Sequence, residues 1–164
     1  MKQSAIEHAK DRLDRARDAV KRMEEAKSPS AIEKPWSDFL HSAGGIYSKL
    51  EQGAKGCGVS EGWFGRKKHD RKKDQLLSYL HHARNSDEHG IMGTTLQHIE
   101  FKVLNDKLKG IKMNRDADGN AMIQPVGEGA EIEILNKGIR LKAVTDGRYG
   151  DTFMPPREHL VDRI

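Results

Sequence analysis

Between Tyr79 and Gly90 the chain reads Tyr-Leu-His-His-Ala-Arg-Asn-Ser-Asp-Glu-His-Gly, and polar, titratable residues interrupt what would otherwise be an apolar helical stripe. With Leu80 as reference and about 100° per residue, Leu76, Leu77, Ala83, Arg84, Asp87 and Ile91 all fall within about 60° of one direction. Two charges therefore share a face with leucines. An unpaired buried charge is costly, so Arg84 and Asp87 either pair with each other at i,i+3 or face a cleft or a partner chain. A solvated, frayed helix end with an Arg84–Glu88 pair at i,i+4 is the alternative on geometry alone. His82, Asn85 and His89, at i, i+3 and i+7, share the opposite side. These residue types suit proton transfer and anion stabilisation. His89 can give or take a proton near neutrality. Arg84 is always charged and presents a fork matched to phosphoryl oxygens, and Asn85 lies where it can orient an imidazole. Asp74 and Tyr79 belong to the same segment, either supporting these groups or simply exposed.

A second candidate is the basic run Arg66-Lys67-Lys68-His69-Asp70-Arg71-Lys72-Lys73, directly after the aromatic pair Trp63-Phe64. Residues 1–90 carry 18 Lys/Arg against 14 Asp/Glu, whereas 91–164 carry 11 of each, so the whole basic excess lies in the first part of the chain. Arg66, Lys67, Lys68, Arg71, Lys72 and Lys73 can hold phosphates, with the aromatics as stacking surfaces for single-stranded RNA. Equally, the run can be a solvated helix face and the aromatics a structural plug. Other constellations are weaker. His82, Glu88 and His89 lack further partners at ligand spacing, so neither metal nor cofactor is expected. Asn114-Arg-Asp-Ala-Asp-Gly-Asn120 imitates part of a calcium loop, but its twelfth position is Pro125 where a bidentate Glu is required, which leaves a turn. Gly53-Ala-Lys-Gly-Cys-Gly58 lacks the Gly-Lys-Ser/Thr ending of a phosphate-cradling loop. His81 and His82 are expected at the surface.

The elements that must carry these residues follow from periodicity. Ile6, Ala9, Leu13, Ala16, Val20 and Met23 alternate steps of three and four, which predicts a helix from about Gln3 to Lys27. Ser28-Pro29-Ser30 breaks it. Pro35 suits the first turn of a second helix burying Trp36, Phe39, Leu40, Ala43, Tyr47 and Leu50. Five glycines between Gly53 and Gly65 predict a loop. A third helix starts in the basic run and continues to about His89 with Leu76, Leu77, Leu80 and Ala83 inward, and Gly90 and Gly93 end it. The period then changes. Glu131–Ile134 and Ile139–Ala143 alternate apolar and polar as half-buried strands do, with turns at Asn136-Lys-Gly138 and Asp146-Gly147. The expected fold class is α+β: a helical domain over 1–98, then a small antiparallel β-sheet over 99–164 that closes with Met154-Pro-Pro-Arg157.

Composition bounds the function classes. A chain of 164 residues with 35% hydrophobic and 33% charged residues makes one ordinary domain with a thin core, which excludes a large multi-site enzyme and points to oligomerisation. No apolar run approaches the roughly 20 residues a membrane helix needs. The charged first ten residues exclude a secretory signal, and Cys57, the single cysteine, excludes an intrachain disulfide. A cytoplasmic location is the expectation.

Arg84-Asn85-Ser86-Asp87-Glu88-His89 resembles the Arg-x4-6-His motif of the HEPN superfamily (higher eukaryotes and prokaryotes nucleotide-binding), especially its form with Asn directly after the Arg. The long first helix, the second helix, the loop and the motif-bearing helix are similar to the HEPN helical bundle over roughly residues 1–98. The resemblance implies a metal-independent RNA endonuclease that acts as a homodimer, with two motifs facing each other across the interface. It implies Arg84, Asn85 and His89 as the catalytic residues, RNA as substrate, and an antitoxin partner where such an enzyme serves growth arrest or phage defence. Attack of a neighbouring 2′-hydroxyl on phosphorus needs a proton acceptor, a proton donor and a cation, which two copies of this motif supply. A HEPN-like module that dimerises or binds without catalysis is the alternative. A nonspecific nucleic-acid binder working through 66–73 is a third. The strands after residue 98 lie outside the minimal bundle.

Overall fold

Alanine and glycine set how the first two helices meet. Helix α1 (Gln3–Glu24) buries Ala5, Ala9, Ala16 and Ala19 against α2 (Ser30–Ala54). The chain, seen here in a computed structural model, is described over residues 1–28, 30–89, 93–115, 121–147 and 149–157. At Gly53 a Cβ would lie 2.3 Å from the Ala5 Cβ, and the Gly53 carbonyl accepts a hydrogen bond from the Lys2 N–H at 2.9 Å. Backbones that close leave no room for large side chains. Leu13 and Val20, expected inside, are therefore 39% and 37% exposed on the flank of the seam. Gly53→Ala should destabilise the fold by about 1–3 kcal/mol, despite a gain of about 1 kcal/mol in helix propensity. A lower urea midpoint would report it.

Two helix boundaries differ from expectation for local reasons. The Ser28 hydroxyl and carbonyl both accept the Ala31 N–H, at 3.3 and 3.1 Å, so α2 begins at Ser30 and Pro35 falls beyond its first turn. The glycine-rich stretch is a loop only to Cys57. Gly56 turns with φ +83° and its N–H donates to Glu61 Oε1 at 2.8 Å, and α3 (Gly58–Lys73) follows. The Gly56–Glu61 hydrogen bond just before the helix and the burial of Phe64 outweigh the poor helix propensity of its glycines. The basic run thus forms the last two turns of α3 rather than the start of the motif helix, a favourable end for cations beside the helix dipole. A separate α4 (Gln75–His89) starts after Asp74, whose Oδ1 accepts the Leu77 N–H at 2.8 Å as an N-cap.

After the helices come short strands: β1 (Thr95–Val103), β2 (Gly110–Arg115), β3 (Ala121–Val126), β4 (Ile132–Leu141), β5 (Val144–Thr145) and β6 (Thr152–Phe153). The layout is α+β, four helices and then strands in small sheets. Among the described residues they form three two-stranded pairs, β1 with β4, β2 with β3 and β5 with β6, rather than the single sheet expected. Strands β2 and β3 are antiparallel with Gly110 opposite Val126 and Met113 opposite Ile123. The turn expected at 136–138 does not form, because β4 runs unbroken from Ile132 to Leu141 beside the long β1. A continuous ladder there overrides local turn preference. The turn at Asp146-Gly147 does form between β5 and β6, with Asp146 N–H donating to the Asp151 carbonyl at 2.8 Å. Of the calcium-like run, 116–120 lie outside the described residues.

Met1–Leu96 with Ile139–Ile164 make one compact unit and Gln97–Gly138 a second, whereas the sequence reading divides the chain between 98 and 99. In the first unit Trp36, Leu40, Tyr79, Ala83 and Val144 form the core, with Met23, Phe39, Leu80, Leu141 and Phe153 packed against it. Trp36 Nε1 donates to Thr94 Oγ1 at 2.8 Å and Tyr79 Oη to the Lys142 carbonyl at 2.8 Å. Burial and hydrogen bonding thus tie α2 and α4 to the segment around β5. In the second unit Leu104 N–H donates to the Glu131 carbonyl at 3.1 Å and Asn105 Nδ2 to the Gly129 carbonyl at 3.0 Å.

Candidate functional site on the fourth helix

Helix α4 is oriented by Tyr79 and Ala83, both fully buried. Leu76, Leu77 and Leu80, expected inside, are only half-buried, because the aromatic ring at Tyr79 takes the core position. Arg84, next to Ala83, consequently reaches toward α2. Its side chain runs past Gly44, where a Cβ would lie 3.4 Å from Arg84 Cδ and Nε. Its Nη2 pairs with Glu88 Oε1 and its Nη1 donates to Asn85 Oδ1 at 3.5 Å. Arg84 Nε is buried with no hydrogen-bond partner among the described residues. Arg84 therefore takes the i,i+4 partner rather than Asp87.

Asp87 is engaged with α2 instead. The Ser37 hydroxyl donates to Asp87 Oδ2 at 2.6 Å, and His41 stands between the two acids, with Nδ1 3.7 Å from Asp87 Oδ2 and Nε2 3.3 Å from Glu88 Oε1. Nothing in the sequence singles out His41, which arrives from another helix. His89 closes α4 as its last residue, and its side chain lies outside the described residues.

Two hollows flank Arg84 and Asn85. One, of about 280 Å³ between α2, α3 and α4, is lined by Tyr47, Phe64, Lys68, Arg71, His81 and Arg84 among others. The second, of about 650 Å³, lies between α3, α4 and the β5–β6 turn, and Asn85 opens into it. The basic run is divided by helical geometry rather than gathered into one patch. Lys68 faces the first hollow while paired with Glu51 at 3.1 Å, Arg71 lines both, and Lys72 lines the second. Lys67 pairs with Asp70 at 3.3 Å, and Arg66 and Lys73 are exposed. Arg71 also rests 4.6 Å from the centre of the Tyr47 ring, a stacking contact that keeps its N–H edge for other acceptors. Phe64 is buried, edge-on to Tyr47, and Trp63 is 37% exposed.

His81 and His82 are half-buried groups at these hollows, not surface residues. The His82 ring stacks on Phe153 with centroids 3.5 Å apart, and its Nδ1 lies 3.4 Å from Asp146 Oδ2. Burial, with help from Arg71, His82 and Arg84, pushes the His81 imidazole down to about 4; burial also lowers His82, against the pull of Asp146. Both rings are thus neutral at pH 7. Because the folded His81 titrates below its unfolded value of about 6.5, stability is full above pH 6.5 and falls as acid is added down to about pH 4. With the ring half-solvated, this loss should be about 1 kcal/mol. His81→Gln should flatten the acid limb of a thermal-denaturation series over that window.

Among the described residues no group of three His, Cys, Asp or Glu side chains could hold a metal ion, and no helix is long and apolar enough to cross a membrane. What the arrangement can do chemically is offer an arginine fork, two further cations and neutral imidazoles around one helix. Comparison of the chain with models of known families, with characterised proteins and with solved structures finds no match.

Proposed function

We propose that the chain is a metal-independent RNA endonuclease acting as a homodimer in the cytoplasm, with His89 in proton transfer, Arg84 stabilising phosphoryl charge and Asn85 orienting. The observation that carries this is the lining of the smaller hollow, where Arg84 meets Lys68 and Arg71 beside an aromatic wall. Three cations around one half-buried helix suit the charge that gathers on phosphoryl oxygens during in-line attack. Arg84 and His89 are five residues apart, about 7.5 Å along a helix and about 140° around it. One helix therefore does not present both groups to one phosphorus, which favours a two-fold pair of motifs. A role in growth arrest or phage defence, with an antitoxin as inhibitor, extends this function and rests on the motif resemblance.

The test is incubation of the purified protein with single-stranded RNA in excess EDTA. Cleavage that persists and leaves a 2′,3′-cyclic phosphate supports the function, and intact RNA in a folded, dimeric preparation rejects it. A specific observation favours a second reading as a binding module without catalysis: Arg84 is held by Glu88, and Asp87 by Ser37, inside the chain. In that case His89→Ala leaves partner binding intact.

A further inference from the structure

The larger hollow meets the motif only at Asn85 and Ser86, and the rest of its lining is different in kind. Arg71 and Lys72 supply two cations, and Ser78, Ser86 and Thr145 supply hydroxyls. Asp146 is the only carboxylate among the described residues that line it, and it stands beside His82. The His82 ring is held on two sides, by the face of Phe153 and by Asp146, so the imidazole is positioned rather than free to rotate. His81 meets it edge-on with ring centres 5.1 Å apart. Arg71 and His81 also line the smaller hollow, so the two hollows share a wall.

We propose that the hollow between α3, α4 and the β5–β6 turn is a second phosphate-binding site, which holds a phosphate of the RNA strand away from the bond that is cut. Its choice of RNA rests on the ribonuclease function proposed above. Its phosphate chemistry rests on the lining alone: fork and ammonium for charge, hydroxyls for the remaining oxygens. A strand crossing the shared wall at Arg71 and His81 passes from the motif's hollow into this one, so the second site fixes the register of the substrate.

The histidines give the site a signature. His81 is faced by Arg71 from α3, by His82 and Arg84 on α4 and by Asp146 from the β5–β6 turn, and His82 by Arg71, Asp146 and Asp151. Burial and the guanidinium charges of Arg71 and Arg84 disfavour a protonated His81. A bound phosphate reverses part of this, because an opposite charge nearby favours the charged form. Binding therefore takes up protons, and affinity rises as pH falls below about 6, toward the His81 midpoint.

The experiment follows the imidazole signals of the whole protein by NMR, titrating inorganic phosphate in one arm and a short, fully 2′-O-methylated RNA that cannot be cut in the other. We expect saturable shifts of both His81 and His82 in each arm, a rise of about one pH unit in the His81 midpoint, and RNA affinity lowered about tenfold in a Lys72→Ala, Ser86→Ala double variant. Silent His81 and His82 signals at saturating RNA, or unchanged affinity in a double variant whose melting temperature matches the wild type, overturn the site. Phosphate binding without RNA binding overturns RNA as the ligand. The two proposals fail separately. Wild-type cleavage with an unchanged KM in the double variant removes this site and keeps the ribonuclease. RNA binding that the double variant weakens, with no cleavage by the wild type, keeps the site and removes the ribonuclease.

Discussion

On the proposed ribonuclease function, alanine at Arg84 or at His89 is expected to leave a folded protein that cuts RNA roughly 10²–10⁴-fold more slowly. The two substitutions remove different things. His89→Ala takes away the proposed proton carrier, so the loss should appear in kcat. Arg84→Ala takes away charge that meets the phosphoryl oxygens, and Arg84→Lys, which keeps a point charge without the fork, should recover only part of the rate. Neither change should unfold the chain. The Arg84–Glu88 pair is about 32% and 22% exposed, and such pairs contribute about 0–1 kcal/mol. Glu88 also keeps its contact with His41 when Arg84 is gone. Mixing the two inactive variants gives the sharper result. If the reacting groups come from two protomers, dimers that pair one variant with the other hold one intact combination, and the mixture should regain activity that neither has alone. Equal, full activity in both variants would end the ribonuclease proposal, and light scattering on each preparation separates loss of catalysis from loss of the dimer.

What the sequence made legible was the class of each segment and the oddity of one helix. The α-to-β change after the motif, the break at Ser28 and the turn at Asp146 were all visible because each rests on chemistry within a few residues. The misplaced features depend on partners far along the chain. Leu13 and Val20 satisfy a helical stripe, but the close approach of α2, seen where Gly53 meets Ala5, favours the alanines Ala5, Ala9, Ala16 and Ala19 in the seam. Gly58, Gly62 and Gly65 look like loop residues, and it is the Gly56–Glu61 hydrogen bond and the burial of Phe64 that favour the helix. Around the site, the choice between Asp87 and Glu88 as partner of Arg84 could not be made from spacing, since both offsets are allowed. Ser37 settles it by engaging Asp87 from α2. Likewise His82 reads as a surface residue until Phe153 and Asp146, more than sixty positions later, close over it.

Tyr79→Ala should cost about 3–5 kcal/mol, a large fraction of the total for a chain with so few apolar residues. Tyr79 is fully buried at the centre of the core cluster, with Trp36, Leu40, Ala83 and Val144 in the same group. Its ring sets which face of α4 turns inward, and hence where Arg84 lies, so the truncation should also abolish any RNA cleavage. Tyr79→Phe separates the two contributions. It keeps the ring and leaves the Lys142 carbonyl without its donor, which should cost about 1–3 kcal/mol. The hydroxyl also predicts a pH effect with a definite sign. Burial pushes the Tyr79 phenol up to about 12, above its ordinary value near 10, so it stays protonated and donating in the folded chain. Unfolding exposes a phenol that ionises earlier, so stability that is present below pH 10 should be lost as the pH rises toward 12. Urea midpoints measured between pH 8 and 12 should therefore fall less steeply for Tyr79→Phe than for the wild type. Parallel curves would mean that burial does not hold the Tyr79 phenol protonated in the folded chain above pH 10.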